Sequence, residues 1–315
     1  MRVAVITPAF QAEATLGSAL ASVAAQTRLP DEVVIADDGS TDGTVDLARS
    51  WYRHLPIRVV STETNGGPAA ARRLAIEAAT GDVVALLDAD DVWFPDHLES
   101  MLGVYAATDD GLASADTLAW IPGRALSARP LSAGAPLPPS DKQLAWLLTE
   151  NYLSVSALFS RRRYDAVGGF RTQFRGTEDW DLWIRMVRAG AVVARPDHAT
   201  VLYRLSHGAV SSDDAMVAAR RAVLDAAAVE GGPAERAAIR LGARHNRAAA
   251  RLAESYALAL QGRDVAARWA GVRAVRGIRP VALRGLAMAV APRWIAQRRS
   301  EVRYDPKVWL RRYGG

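Results

Sequence analysis

Hydrophobic and polar positions alternate in blocks along the first half of this chain. Short apolar runs, such as Arg2–Ile6, Glu32–Ala36, Ile57–Ser61 and Val83–Leu87, are the length of buried strands and too short for helices. Segments with apolar residues at helical spacing separate them: Ala14–Gln26, with Leu16, Leu20 and Val23, and the Ala-rich Pro68–Ala79. Alternating strand and helix predict a mostly parallel sheet covered on both faces. Pro8 removes a backbone donor, so the first strand is expected to end at Ile6 and Thr7–Gln11 to form a loop. Further on, alternation over Tyr152–Ser160 predicts a strand, and Val192–Ala194 and Ala199–Leu205 predict closing strands. Residues 92–150 carry little pattern; a helix begins near Trp93–Leu98, with His97 in a structural role, and Pro122–Ser140 reads as irregular.

Three of these strands run into polar loops at the same edge. Val83–Leu87 meets Asp88, Asp90 and Asp91; Glu32–Ala36 meets Asp37-Asp38-Gly39-Ser40; the first strand meets Thr7. Ligands bind beyond the carboxyl ends of parallel strands. Clustered carboxylates repel one another unless a cation sits among them, and a hard ion such as Mn²⁺ or Mg²⁺ suits oxygen donors. A solvated acidic turn is the alternative. Gly66 and Gly67 allow close backbone approach to a ligand, Pro68 opens a helix whose N-terminus suits an anion, and Arg72 lies one turn on. Thr177 is a plausible helix cap before Glu178, Asp179 and Asp181, which with Trp180 and Trp183 form an acidic–aromatic cluster. His207 follows a strand end; it is either structural or joins the metal or the phosphates.

Beyond Asp213 the chain becomes Ala- and Arg-rich, with helices predicted over Asp213–Glu230, Ala234–Gln261, Val265–Val275 and Pro280–Arg299. The last has the composition of either an interfacial amphipathic helix or a packed helix with Arg outward. Charge divides at the same point. Residues 1–214 hold 19 Lys/Arg against 27 Asp/Glu, whereas residues 215–315 hold 20 against 7. A basic tail suits an anionic partner. Its arginines read as spread around the helices, so nucleic acid is not expected, and an anionic membrane surface is. The chain of 315 residues has no cysteine, which excludes disulfides and thiolate metal sites and fits a reducing compartment. No apolar run spans a membrane and no signal peptide is evident. The location expected is cytoplasmic, or peripheral on the inner face of the membrane.

In order and spacing, Val5-Ile6-Thr7-Pro8-Ala9-Phe10, Asp37–Thr44, Asn65-Gly66-Gly67 with Arg72, Asp88-Ala89-Asp90-Asp91 and Glu178-Asp179 resemble the family 2 glycosyltransferases, inverting nucleotide-sugar-dependent enzymes of the GT-A fold. The resemblance covers roughly residues 1–210. It implies a catalytic domain over 1–212, divided into a nucleotide-sugar half (1–105) and an acceptor half (106–212), followed by a basic helical region (213–315). It implies that Thr7, Pro8, Ala9 and Glu13 line the base pocket, that Asp38 accepts from the base, and that Arg72 lies near the nucleotide. Asp88 would bind ribose or support the metal, Asp90 would ligate Mn²⁺ or Mg²⁺, with His207 as a second candidate ligand, and Asp179 would be the general base. Asp91, Glu178 and Trp180 are the candidates for contact with sugar or acceptor. The implied donor is a UDP-sugar and the acceptor a saccharide, lipid-linked or small-molecule hydroxyl. Gly67-Pro68 departs from the family's usual Gly followed by a bulkier apolar residue. The Gln/Arg-x-x-Arg-Trp motif of processive synthases is absent, which favours single transfers. A nucleotidyltransferase of related fold and a non-catalytic nucleotide-sugar-binding scaffold are the competing readings.

Overall fold

The computed structural model describes residues 1–120, 130, 136–204, 214–260 and 263–274. In chain order the elements are β1 (Val3–Ala9), α1 (Leu16–Ala24), β2 (Glu32–Asp37), α2 (Thr44–Ser50), β3 (Ile57–Ser61), α3 (Pro68–Ala78), β4 (Val83–Leu86), β5 (Val92–Trp93), α4 (His97–Ala106), β6 (Leu112–Ser114), β7 (Asp116–Trp120), α5 (Gln143–Leu147), β8 (Ala157–Ser160), α6 (Arg161–Ala166), α7 (Glu178–Arg188), β9 (Val193–Ala194), β10 (Ala199–Arg204), α8 (Asp214–Glu230), α9 (Pro233–Leu260) and α10 (Asp264–Ala274). Seven strands form the main sheet in the order β3-β2-β1-β4-β8-β6-β9, and β5-β10-β7 form a smaller one. The four strands β3, β2, β1 and β4 are parallel, and β8 enters antiparallel between β4 and β6. The chain thus has the mostly parallel α/β architecture that the periodicity predicts.

Period-2 alternation sorts each strand's side chains onto two cores. Ile6, Val34, Val84 and Leu86 face one side with Ala75 and Ile76 of α3 and Trp180, Leu182 and Trp183 of α7. Val5, Val33, Ile35 and Ala85 face the other with Leu16, Leu20 and Val23 of α1 and Leu98 and Met101 of α4. Val223 and Leu224 of α8 and Ile239 of α9 complete the first core, so the basic helical region packs on the sheet's helical cover.

Two expectations about strands need correction. β1 continues through Pro8 to Ala9, paired in register with β2 up to Asp37. Ile6 O accepts from Leu87 N, so the next even residue, Pro8, turns its missing donor to the β4 side, beyond the last Ile6–Leu86 pair. No ladder bond is lost there. Conversely, of Tyr152–Ser160 only Ala157–Ser160 is strand. The preceding backbone bonds instead to side chains: Ser154 N–H donates to Ser114 Oγ and Ser156 N–H to Ser154 Oγ. The small sheet contains the expected closing strand β10 with β5 and β7, which the sequence does not mark, on either side of it. His97 is the structural residue expected. It is buried, stacks on Trp93 at 4.1 Å and contacts Thr200 Oγ1, and burial pushes its imidazole down to about 3.

Candidate active site

The parallel strands end together. Asp38 N–H donates to Ala9 O at 2.8 Å and Leu87 N–H to Ile6 O at 3.0 Å, which fixes the loops after β1, β2 and β4 side by side. They surround a cleft of about 440 Å³. Of the residues expected at the site, Pro8, Ala9, Asp38, Gly67, Arg72, Asp88 and Asp90 line it. Arg175 and Arg204 line it too, and sequence reasoning missed both. Thr7, Glu13, Gly66 and Asp179 are not among the lining residues. Thr7 is fully buried with its hydroxyl unpartnered, and the Glu13 carboxylate is turned to Gly43 N–H.

Asp38 also does a job that was not expected. Its two carboxylate oxygens accept from Gly66 N–H (2.9 Å) and Gly67 N–H (2.7 Å). These bonds hold the glycine loop, where Gly67 caps α3 at φ +85°, ψ 170°, a region essentially restricted to glycine. Pro68 follows as the first helical residue, where its missing donor costs nothing.

Arg72 is buried in the wall of the cleft. Nη1 donates to Glu178 Oε1 and Nη2 to Asp88 Oδ1, both at 2.7 Å, and the group lies 5.7 Å from the Phe170 ring centre. Burial alone would lower the guanidinium's pKa; Asp88, Glu178 and Asp179 outweigh it and hold the group firmly charged. Glu178 is thereby committed as an ion-pair partner and is 4% exposed, which withdraws it from the acceptor surface. Trp180 is withdrawn more completely. It is 2% exposed and its indole N–H donates to Leu147 O, so it packs in the core and offers no face to a sugar. Asp91 is also interior; its Oδ1 accepts from Arg204 N–H and anchors β10 to the acidic loop. Burial and the nearby Asp88 push its carboxyl well above the usual range. His207 lies outside the described residues.

Asp179 is the distinctive acid. Oδ1 accepts from Trp180 N–H at 2.7 Å and Oδ2 from Asn151 Nδ2 at 3.2 Å. Burial, then the charge of Glu178, raises it to about 6, against the bonds from Trp180 and Asn151 and the field of Arg72. A carboxylate so placed is basic enough to take a proton near neutrality yet largely ionised at pH 7. Asp90, at the cleft, is also raised, by desolvation and by Asp88. That mutual repulsion is what a bound dication would relieve, and both groups offer hard oxygen donors. Among the described residues no cluster of three or more His, Cys, Asp or Glu could hold an ion. Asp88 and Asp90 therefore fit Mn²⁺ or Mg²⁺ only as a pair, with a ligand's phosphates and water completing the shell.

The sheet order and the cleft at its strand ends define a GT-A type α/β protein. Residues 4–181 match the model described as glycosyl transferase family 2, and the chain belongs to that family of glycosyltransferases. It is 25% identical over 232 residues to the uncharacterized glycosyltransferase YwdF of Bacillus subtilis, covering 71% of this chain and 82% of that one. It is 43% identical over 101 residues to the putative teichuronic acid biosynthesis glycosyltransferase TuaG of the same organism, covering 32% of this chain and 40% of that one. Among solved structures, S. aureus TarS 1–349 superposes with TM-score 0.59 at 17% identity over 97% of this chain and 94% of that one. The mannosyltransferase PcManGT of Pyrobaculum calidifontis, solved with GDP-Man and Mn²⁺, superposes with TM-score 0.61 at 22% identity, covering 96% and 83%. No helix among the described residues is long and apolar enough to cross a membrane.

Proposed function

We propose that this chain is an inverting, non-processive transferase that moves a sugar from a UDP-sugar to a hydroxyl of a saccharide, lipid-linked or small-molecule acceptor. The observation that carries this reading is a cleft at the strand ends with Asp88, Asp90 and Arg72 in its wall, and behind Arg72 one elevated carboxylate, Asp179, beside the Arg72–Glu178 pair. TarS has been solved with UDP and with UDP-GlcNAc, which supports a uracil nucleotide in a fold of this kind. The unit so assigned is residues 1–212. The helical region 213–315, with its excess of 11 positive charges, is assigned to an anionic membrane surface at the inner face of the membrane.

In the proposed step Asp179 accepts the proton of the acceptor hydroxyl, whose oxygen bonds to the anomeric carbon as the bond from that carbon to the diphosphate oxygen breaks. Attack from the face opposite the diphosphate inverts the anomeric centre, and one base suffices where two-carboxylate hydrolases need a pair. Mn²⁺ or Mg²⁺, held by Asp88 and Asp90, would supply Lewis-acid neutralisation of the departing diphosphate. Arg204 and Arg175 add fixed positive charge at the cleft wall, and Asp38 keeps the glycine loop open to the nucleotide.

A melting-temperature screen of nucleoside diphosphates and nucleotide sugars, with and without Mn²⁺, tests the reading. A UDP-sugar should give the largest rise, and Asp90→Ala should remove its Mn²⁺-dependent part. Equal shifts with every nucleotide, or no shift with any, would overturn the donor assignment.

A further inference from the structure

The outer faces of α9 and α10 do not look like those of a helical hairpin built only to be wetted. The inner face of α10 carries small residues, with Ala267 and Ala270 fully buried against α9 and the Ser255 hydroxyl donating to Ala267 O at 2.6 Å. Its opposite face would be polar in a hairpin that merely met water. Instead Val265, Trp269 and Val272, at i, i+4 and i+7, are 73%, 66% and 48% exposed.

A second observation on α9 agrees. Along the sequence the arginines read as scattered, but helical register corrects this. Arg240, Arg244, Arg247 and Arg251 are all exposed and fall at i, i+4, i+7 and i+11, one line along one face. The next step of that line, i+14, is Glu254, whose carboxylate accepts from Arg251 Nη1 at 3.0 Å, and at the adjoining Ser255 α10 docks. A row of cations therefore runs up to an apolar, tryptophan-bearing ridge. Cations seek an anionic surface, and an exposed Trp flanked by Val seeks the boundary between headgroups and acyl chains. Single- or double-stranded nucleic acid would satisfy the arginines but leave the valines in water.

We propose that the α9–α10 hairpin is the element that lies on an anionic lipid surface, the arginine row against headgroups and Val265, Trp269 and Val272 inserted at the interface. This rests on the membrane assignment of region 213–315 and adds the residues that make the contact. The glycosyl-transfer reading is independent of it.

The test is co-sedimentation of the full chain with vesicles of phosphatidylcholine alone and of phosphatidylcholine with equal phosphatidylglycerol, at low and high salt. The full chain should bind the anionic vesicles, more weakly as salt rises, and the neutral ones poorly. Changing the four arginines to Gln should weaken binding by roughly 10²-fold or more. Val265→Ser with Trp269→Ser and Val272→Ser should weaken it about tenfold. The single Trp269→Phe change should retain binding but remove a blue-shifted part of the tryptophan emission that vesicles induce. Melting with and without nucleotide checks that each variant is folded and the donor cleft intact. No binding by the full chain would overturn both the hairpin and the regional assignment. Binding that both multiple variants retain would overturn the hairpin alone. Tighter binding to nucleic acid than to anionic vesicles would overturn the lipid partner. Self-association that the apolar variant abolishes, without vesicle binding, would show that a second copy is the occupant.

Discussion

Asp179 is the base of the proposed reaction, and its environment makes opposite predictions for rate and stability. Its folded carboxyl is raised from 3.8 to about 6. A base must be deprotonated, so turnover should climb with pH through about 6 and level off above it. Asp179→Asn should lower kcat by about 10²–10⁴-fold with nucleotide binding unchanged, as read by steady-state rates and melting shifts. For stability the sign runs the other way. Between 3.8 and about 6 the folded chain holds a proton that the unfolded chain has released, so this group's contribution declines as pH rises through that window. Asp179→Asn should therefore melt higher than the parent at pH 7, with the difference fading below about pH 4. A lower melting temperature at pH 7 would mean that the bonds from Asn151 and Trp180 matter more than desolvation. Arg72 behaves differently because it completes an ion-pair set. Arg72→Met leaves Glu178 buried and uncompensated and should cost about 3–5 kcal/mol in denaturant unfolding, part of which Glu178→Gln in the same chain should restore.

Among the elements, the turn into α3 shows how local chemistry builds the site. Gly67 must adopt φ +85°, Pro68 must start the helix, and Asp38 must reach across from β2 to tie both glycine N–H groups. Gly67→Ala meets no hard clash, since its nearest neighbour is Arg175 Nε at 3.5 Å, but it forces a strained backbone. It should cost about 1–3 kcal/mol of stability in urea unfolding and weaken nucleotide binding with it. Asp38→Ala should weaken nucleotide binding through the same loop while leaving the Asp179 pH profile in place. The Gly-Gly-Pro signal was legible in the sequence because it is local. The partner that holds it was legible only as an acid expected to accept from the base, because its 28- and 29-residue separation from the glycines is a tertiary fact.

Taken as a whole, the molecule closes its first core with the helices that the sequence sets apart by charge. Val223, Leu224 and Ala227 of α8 and Ile239 of α9 lie in the same apolar cluster as Trp183 and Phe159. Arg188 at the end of α7 bonds to Glu230, Glu235 and Ala227 O, which ties both helices to the element that begins with Glu178 and Asp179. A chain cut after residue 212 should therefore expose apolar surface on α7, lose its cooperative melting transition and aggregate on heating. Comparison of the two lengths by light scattering and thermal denaturation checks this. An undiminished melting temperature would mean that the helical region adds nothing to the core.

The sequence by itself determined the alternation of strand and helix, the mostly parallel sheet, and the convergence of the loops carrying Thr7, Asp38 and Asp90 on one edge, although Thr7 itself is buried away from the cleft. Each depends on periodicity or on loops that follow directly from strand ends. Burial and pairing were decided only by the tertiary structure. Trp180 and Asp91 read as surface chemistry but are interior. Glu178 and Arg72, 106 residues apart, read as separate ligands but form one buried pair. Arg204 reaches the acidic loop by backbone and guanidinium bonds to Asp91 and Asp90 from the far end of a strand that sequence marks only by its apolar run. The physical reason is common to all four. A side chain's charge and hydrogen-bonding capacity are intrinsic, whereas whether it faces water, a ligand or another side chain depends on contacts between distant segments, which no local pattern encodes.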